Sequence, residues 1–144
     1  MNFFRRLFSS SNLELQINDG GRVSSGYKGK TGDCVVRSIA IVSGFSYQKI
    51  YDDLYKANEI FRITSQTKLA KSLEKKNDSP RLGTHRVVVK KYLEKLGWKW
   101  TPTMFIGQGC KVHLRKDELP SGTLIVSCSK HITVVIDGVL HDTY

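Results

Sequence analysis

Three residues in this chain, Cys34, His131 and Asp142, are of the types that together perform acyl transfer. Cys34 follows Gly32-Asp33 and opens an apolar run, VVRSIAIVSG at 35–44, that predicts a helix of the buried kind. Unpaired N–H groups and the helix dipole stabilise an anion at a helix N-terminus. A thiol there can fall from its ordinary pKa of about 8.5 to between about 3.5 and 7.5, and the thiolate is the nucleophile. The plainer reading of a single cysteine is a small buried hydrophobe. Asp33 and the neighbouring glycines keep the N-terminal side of Cys34 open. Cys110 and Cys128 have neither a helix start nor an evident base.

His131 and Asp142 flank Asp137-Gly138, the strongest hairpin signal in the chain. A two-residue turn there pairs Ile136 with Val139, Val135 with Leu140 and Val134 with His141. His131, Thr133 and Val135 then share a face with Leu140, Asp142 and Tyr144, and His141 falls on the other. His131 and Asp142 become diagonal cross-strand neighbours. A carboxylate on one ring nitrogen fixes the tautomer and leaves the other nitrogen as a base. A one-residue shift in the loop would reverse the faces.

The elements that must position these residues read as follows. Residues 1–28 are an irregular, glycine-punctuated segment with one short alternating strand, LELQI at 13–17. Asp33 caps the Cys34 helix and Gly44 follows it. Ser46 caps a second helix, SYQKIYDDLYKAN, with Tyr47, Ile50, Tyr51 and Leu54 at helical spacing. Residues 58–83 form a basic insertion, with an exposed helix over Ser65–Lys76 and a loop from Asn77 to Gly83. Thr84 caps a third helix in which Val89, Leu93 and Leu96 share a face and Gly97 ends it. WKWTPTMFI at 98–106 reads as a strand interrupted by Pro102. Strands at 123–128, 131–136 and 139–144 follow. The whole predicts one α+β domain, residues 1–144, with N-terminal helices packed against a C-terminal antiparallel sheet.

The chain has 144 residues, enough for one core, and a formal net charge of +10. Its 40% hydrophobic content argues against disorder, and three cysteines are too few for a disulfide scaffold. No apolar run approaches a membrane span, and MNFFRRLFSS lacks the apolar core of a signal peptide. A cytoplasmic protein with reduced thiols and no membrane partner is the expectation. Between Arg62 and Lys99 stand 11 basic residues against Glu74, Asp78 and Glu94, so this stretch carries +8. Lys75, Lys76, Arg86, Lys90 and Lys91 are its candidate binding residues, with Trp98 and Trp100 nearby. The flanking segments are close to neutral, so the proposed chemistry falls outside the basic middle.

GDC at 32–34 opening an apolar helix, with HITVVIDGVLHDT at 131–143, resembles the papain-like cysteine hydrolases. It is similar in particular to the bacteriocin-processing cysteine peptidases, and to small phage-encoded proteins with a Gly-Asp-Cys-Val-x-Arg helix and a late His…Asp hairpin. The resemblance covers roughly 29–54 and 119–144. It implies a papain-like fold and a peptidase or amidase acting on a protein or peptide, with no cofactor, and the chain's basic charge favours an acidic substrate. Cys34 would be nucleophile, His131 the general base and acid, and Asp142 its orienting carboxylate. Papain-like enzymes usually place a Gln six residues before the cysteine to donate to the oxyanion. That position holds Lys28, which with Asp33 becomes the candidate oxyanion or substrate contact. Losing such a donor can lower the rate by about 10²- to 10³-fold.

Two alternatives stand beside this. Cys110-Lys-Val-His113 and Cys128-Ser-Lys-His131 have zinc-ligand spacing, but 128 and 131 would point to opposite faces of one continuous strand unless a sharp loop at Ser129-Lys130 brings them together. No metal is therefore assigned. The other alternative is a weak or inactive papain-like scaffold that binds an acidic host protein or nucleic acid through its basic middle, although no nucleic-acid-binding motif is present.

Overall fold

The computed structural model describes residues 11–29, 31–73 and 77–144. In chain order the elements are β1 (Glu14–Ile17), α1 (Cys34–Ser43), α2 (Tyr47–Thr64), α3 (Lys68–Leu73), α4 (Arg86–Lys95), β2 (Met104–Phe105), β3 (Gly109–Cys110), β4 (Thr123–Cys128), β5 (His131–Ile136) and β6 (Val139–Asp142). A 3-10 turn at Pro80–Leu82 precedes α4. The architecture is α+β, with a four-stranded sheet in the order β1-β6-β5-β4 and a separate β2-β3 pair.

The C-terminal strands are β-branched and pair as the turn chemistry dictates. Val134 faces His141 and Ile136 faces Val139, the register that a two-residue Asp137-Gly138 turn requires. Asp137 and Gly138 both hold positive φ, 47° and 81°, which suits the type I′ turn that matches strand twist. Ser129-Lys130 makes the second two-residue turn and sets Cys128 opposite His131. β1 was expected as a strand, but it joins this sheet parallel to β6, with Leu15 beside Leu140. A local pattern says nothing of partner or direction, so the antiparallel meander gains one parallel neighbour.

α1 lies on β5, joined by a hydrogen bond from the Ser38 hydroxyl to the Ile132 carbonyl at 3.2 Å. Val36, Ile39, Tyr47, Ile50 and Leu54 are fully buried between α1 and α2, and Val89 and Leu93 bring α4 into the same core. Ser46 caps α2, accepting from the Lys49 N–H at 3.2 Å. α2 runs on through 58–64 instead of ending near Asn58. Its polar last turns find partners: the Asn58 side chain donates to the Asp78 carbonyl, and Arg62 grips Asp78 through two bonds of 2.9 Å. The described part of 58–83 is thus part helix and part turn packed against α2. Within it the exposed helix starts at Lys68 instead of Ser65 and is described to Leu73, and Lys75 and Lys76 lie outside the described residues. α4 begins one residue later than expected. His85 Nδ1 accepts from the Val87 N–H, and the Thr84 hydroxyl is buried without a partner. The expected strand at 98–106 reduces to Met104–Phe105, because Pro102 removes a ladder donor and most of the run is exposed.

The segment before α1 has a defined role. Asp19 accepts from the N–H groups of Gly21 and Val23 and folds the chain over α1. At Gly20, with φ +64°, a Cβ would lie 2.7 Å from the Arg37 carbonyl oxygen and 2.9 Å from its Cα. Gly20→Ala is therefore expected to destabilise the protein by about 1–3 kcal/mol in urea unfolding. Gly44→Ala, at φ +72° with open space around it, should do less harm.

Candidate active site

The first turn of α1 carries Cys34, which is half-buried, and Asp33 just before it, which is fully buried. Asp33 stands at the cap position but makes no side-chain cap hydrogen bond. Its carboxylate turns inward. Oδ1 accepts from Arg37 Nε at 3.0 Å, and Oδ2 accepts from the Tyr47 hydroxyl at 2.8 Å. Arg22 and Arg81 stand 3.6 and 3.9 Å from Oδ2. Burial and this carboxylate push the Tyr47 phenol well above its ordinary value, so it stays a donor. The expectation that Asp33 caps the helix and meets the substrate is corrected: it is an internal counter-ion. The uncapped N–H groups at the start of α1 are left for another acceptor.

Arg37 is the residue that the motif reading did not weigh. It sits on the inward face of α1, 4% exposed, and spans two carboxylates. Nε binds Asp33, and Nη1 binds Asp142 Oδ1 at 2.7 Å. Burial works against its charge, but Asp142 and Asp33 outweigh that and raise its pKa above the ordinary value. The available signal was an arginine inside VVRSIAIV, where a charge needs a buried partner.

Asp142 passes the interaction on. Its Oδ2 lies 2.6 Å from His131 Nε2, and its Oδ1 also accepts from the Thr143 N–H at 2.8 Å. Burial raises the Asp142 carboxyl, but Arg37, His131, Thr133 and the Thr143 N–H together hold it down at about 2. A carboxylate so held only accepts, so Nε2 of His131 carries the proton and Nδ1 is the nitrogen free to act as a base. The Tyr144 ring flanks the imidazole at 5.7 Å between centroids. His141 is turned to Asn18, its Nδ1 3.4 Å from the side-chain amide nitrogen.

This gives a pH dependence with a definite sign. The folded carboxyl is held below its unfolded value of about 3.9, so its stabilisation is present above that value. It is lost as the pH falls from about 4 to about 2, and it amounts to roughly 2 kcal/mol. Urea midpoints measured across that range should fall for the wild type and flatten for Asp142→Asn.

Cys34 and His131 line one cavity of about 280 Å³. Val35, Val89, Trp100 and Ile132 supply its apolar wall, and Arg86 and Lys130 supply cations. Cys128 also lines it, across the strand pair from His131, which corrects the reading that Cys128 has no base nearby. Burial, reinforced by Cys110, pushes the Cys128 thiol above its ordinary value, so it holds its proton at neutral pH. Lys28 does not line the cavity. Its side chain is exposed and its carbonyl accepts from Arg81 Nη2 at 2.6 Å, so the proposed oxyanion contact at Lys28 is not formed. Lys90 and Lys91 are exposed on α4, and Lys90 lies 4.0 Å from Glu94. The separation of charge from chemistry also needs correcting, since Arg81 and Arg86 of the basic middle both reach the site.

Among the described residues no group of three or more His, Cys, Asp and Glu side chains could hold a metal ion. His113 is held by Glu118 at 2.9 Å, and His131 Nε2 is occupied by Asp142. No helix among the described residues is long and apolar enough to cross a membrane. Comparison with family models, curated proteins and solved structures finds no match.

Proposed function

We propose that the protein is a cysteine hydrolase of the peptidase or amidase type, built on a papain-like plan, that cleaves an amide or isopeptide bond in a protein or peptide. The observation that carries this reading is the His131–Asp142 pair at 2.6 Å, whose histidine lines the same cavity as a cysteine at a helix start. His131 Nδ1 takes the Cys34 proton, and the thiolate attacks the carbonyl carbon. The N–H of Cys34, at the uncapped start of α1, receives the developing oxyanion in place of a side chain at Lys28. The proton passes from Nδ1 to the leaving amine. Water then gives a proton to Nδ1, attacks the thioester and frees the acid and Cys34. Helices carrying the cysteine, packed on a sheet carrying the histidine and aspartate, fit the papain-like plan. Three free cysteines fit a reducing compartment such as a cytoplasm.

Iodoacetamide labelling at pH 6 with site mapping tests the reading. Cys34 is expected to react selectively over Cys110 and Cys128, and that selectivity should vanish in His131→Ala. Equal labelling of all three thiols would overturn it.

A further inference from the structure

The cavity beside Cys34 carries charge of one sign. Arg86, from the first turn of α4, and Lys130, from the β4–β5 turn, both line it, and no Asp or Glu does. Three other cations of the basic middle have acidic neighbours: Arg62 with Asp78, Arg81 near Asp33, and Lys90 near Glu94. Among the described residues Arg86 and Lys130 have no such acidic partner. Lys130 also holds φ 57°, a conformation that glycine or asparagine adopts more easily. Glycine there would ease the backbone and remove the cavity's second cation. The same cavity is lined by apolar Val89 and Trp100, and by Thr84, whose buried hydroxyl has no partner. Two unmatched cations on separate elements, an apolar wall and an unused hydroxyl make a receptor for a carboxylate on a short aliphatic stem.

We infer that this cavity selects an acidic residue, Asp or Glu, in the peptide held against Cys34, with Arg86 and Lys130 binding the carboxylate and Thr84 donating to it. This deepens the hydrolase reading and rests on it for where the peptide lies. It also gives the positive charge a specific role, because Arg86 of the basic middle and Lys130 outside it discriminate as two named side chains rather than as a diffuse field.

The test uses full-length Cys34→Ala protein, which binds without turnover, and a positional library of fluorescent hexapeptides carrying Glu, Gln or Lys at each place. Anisotropy at low salt is expected to show at least one position where Glu binds about tenfold or more tighter than Gln. Arg86→Glu and Lys130→Glu should each weaken that preference, and the double variant should reverse it towards Lys. The Lys90→Glu/Lys91→Glu variant should leave it intact. Equal binding of Glu and Gln peptides overturns the inference, as does loss of the preference in the Lys90/Lys91 variant. Turnover of the same library by wild-type protein separates the two proposals. A Glu preference in binding with no cleavage of any peptide would remove the hydrolase reading and leave the charge selection standing.

Discussion

Arg37→Met is expected to destabilise the protein by about 3–5 kcal/mol, because it leaves two buried carboxylates without the cation between them. The damage falls unevenly. Asp33 keeps the Tyr47 hydroxyl and the nearby Arg22 and Arg81. Asp142, 3% exposed, keeps His131, Thr133 and a backbone N–H but no arginine. Its carboxyl should move up from about 2, so the deficit should be largest near neutral pH and smaller in acid, where the proton is restored. Arg37→Lys keeps a charge but not the fork that reaches both carboxylates, and should fall between wild type and Met. Arg37→Met/Asp142→Asn should recover part of the loss, since it removes the orphaned charge along with its partner. Urea unfolding at pH 7 and pH 4 reads all of this. A cost under about 1 kcal/mol for Arg37→Met would show that the two acids do not depend on it.

Cys34→Ala is expected to lower amide turnover by about 10⁴-fold or more while leaving the unfolding midpoint nearly unchanged. The side chain is half-buried, so little packing is lost. His131→Ala should cost a comparable factor, and the double variant should be no worse than either alone, because nucleophile and base act as one unit. Cys128→Ala is the informative control. It faces His131 across the β4–β5 pair and shares the cavity, so retained turnover would assign the chemistry to Cys34 rather than to its neighbour. Losses that multiplied in the double variant, or a loss under tenfold for Cys34→Ala, would count against a shared mechanism.

What the sequence made legible was whatever depends on neighbours in the chain. Asp137-Gly138 set the β5–β6 register, and the register brought His131 and Asp142 together as expected. Ser46 capped α2 for the same local reason. What stayed hidden depends on partners far away. Asp33 is a good cap by type, yet a buried arginine and a buried phenol outbid the helix end for its carboxylate. α2 continued past Asn58 because Asp78, which satisfies its polar last turns, lies 16 and 20 residues from the side chains it serves. β1 looked like a strand, but no local pattern announces a parallel partner more than a hundred positions away. The basic middle read as one patch because charge was summed along the chain, whereas the fold sends Arg62, Arg81 and Arg86 to three different partners or surfaces.

The bond from Arg37 to Asp142 spans 105 positions of sequence. Contacts of such separation form late, after the local helices and hairpins have already appeared. The β5–β6 hairpin alone could set Asp142 beside His131, but without α1 it would have neither the cation that steadies the carboxylate nor the thiol that the imidazole serves. A helix α1 formed alone would hold Arg37 near Asp33 but leave Cys34 without a base. On the proposed hydrolase reading, pairing of Cys34 with its base is therefore a property of the finished fold, absent until α1 and β5 have met.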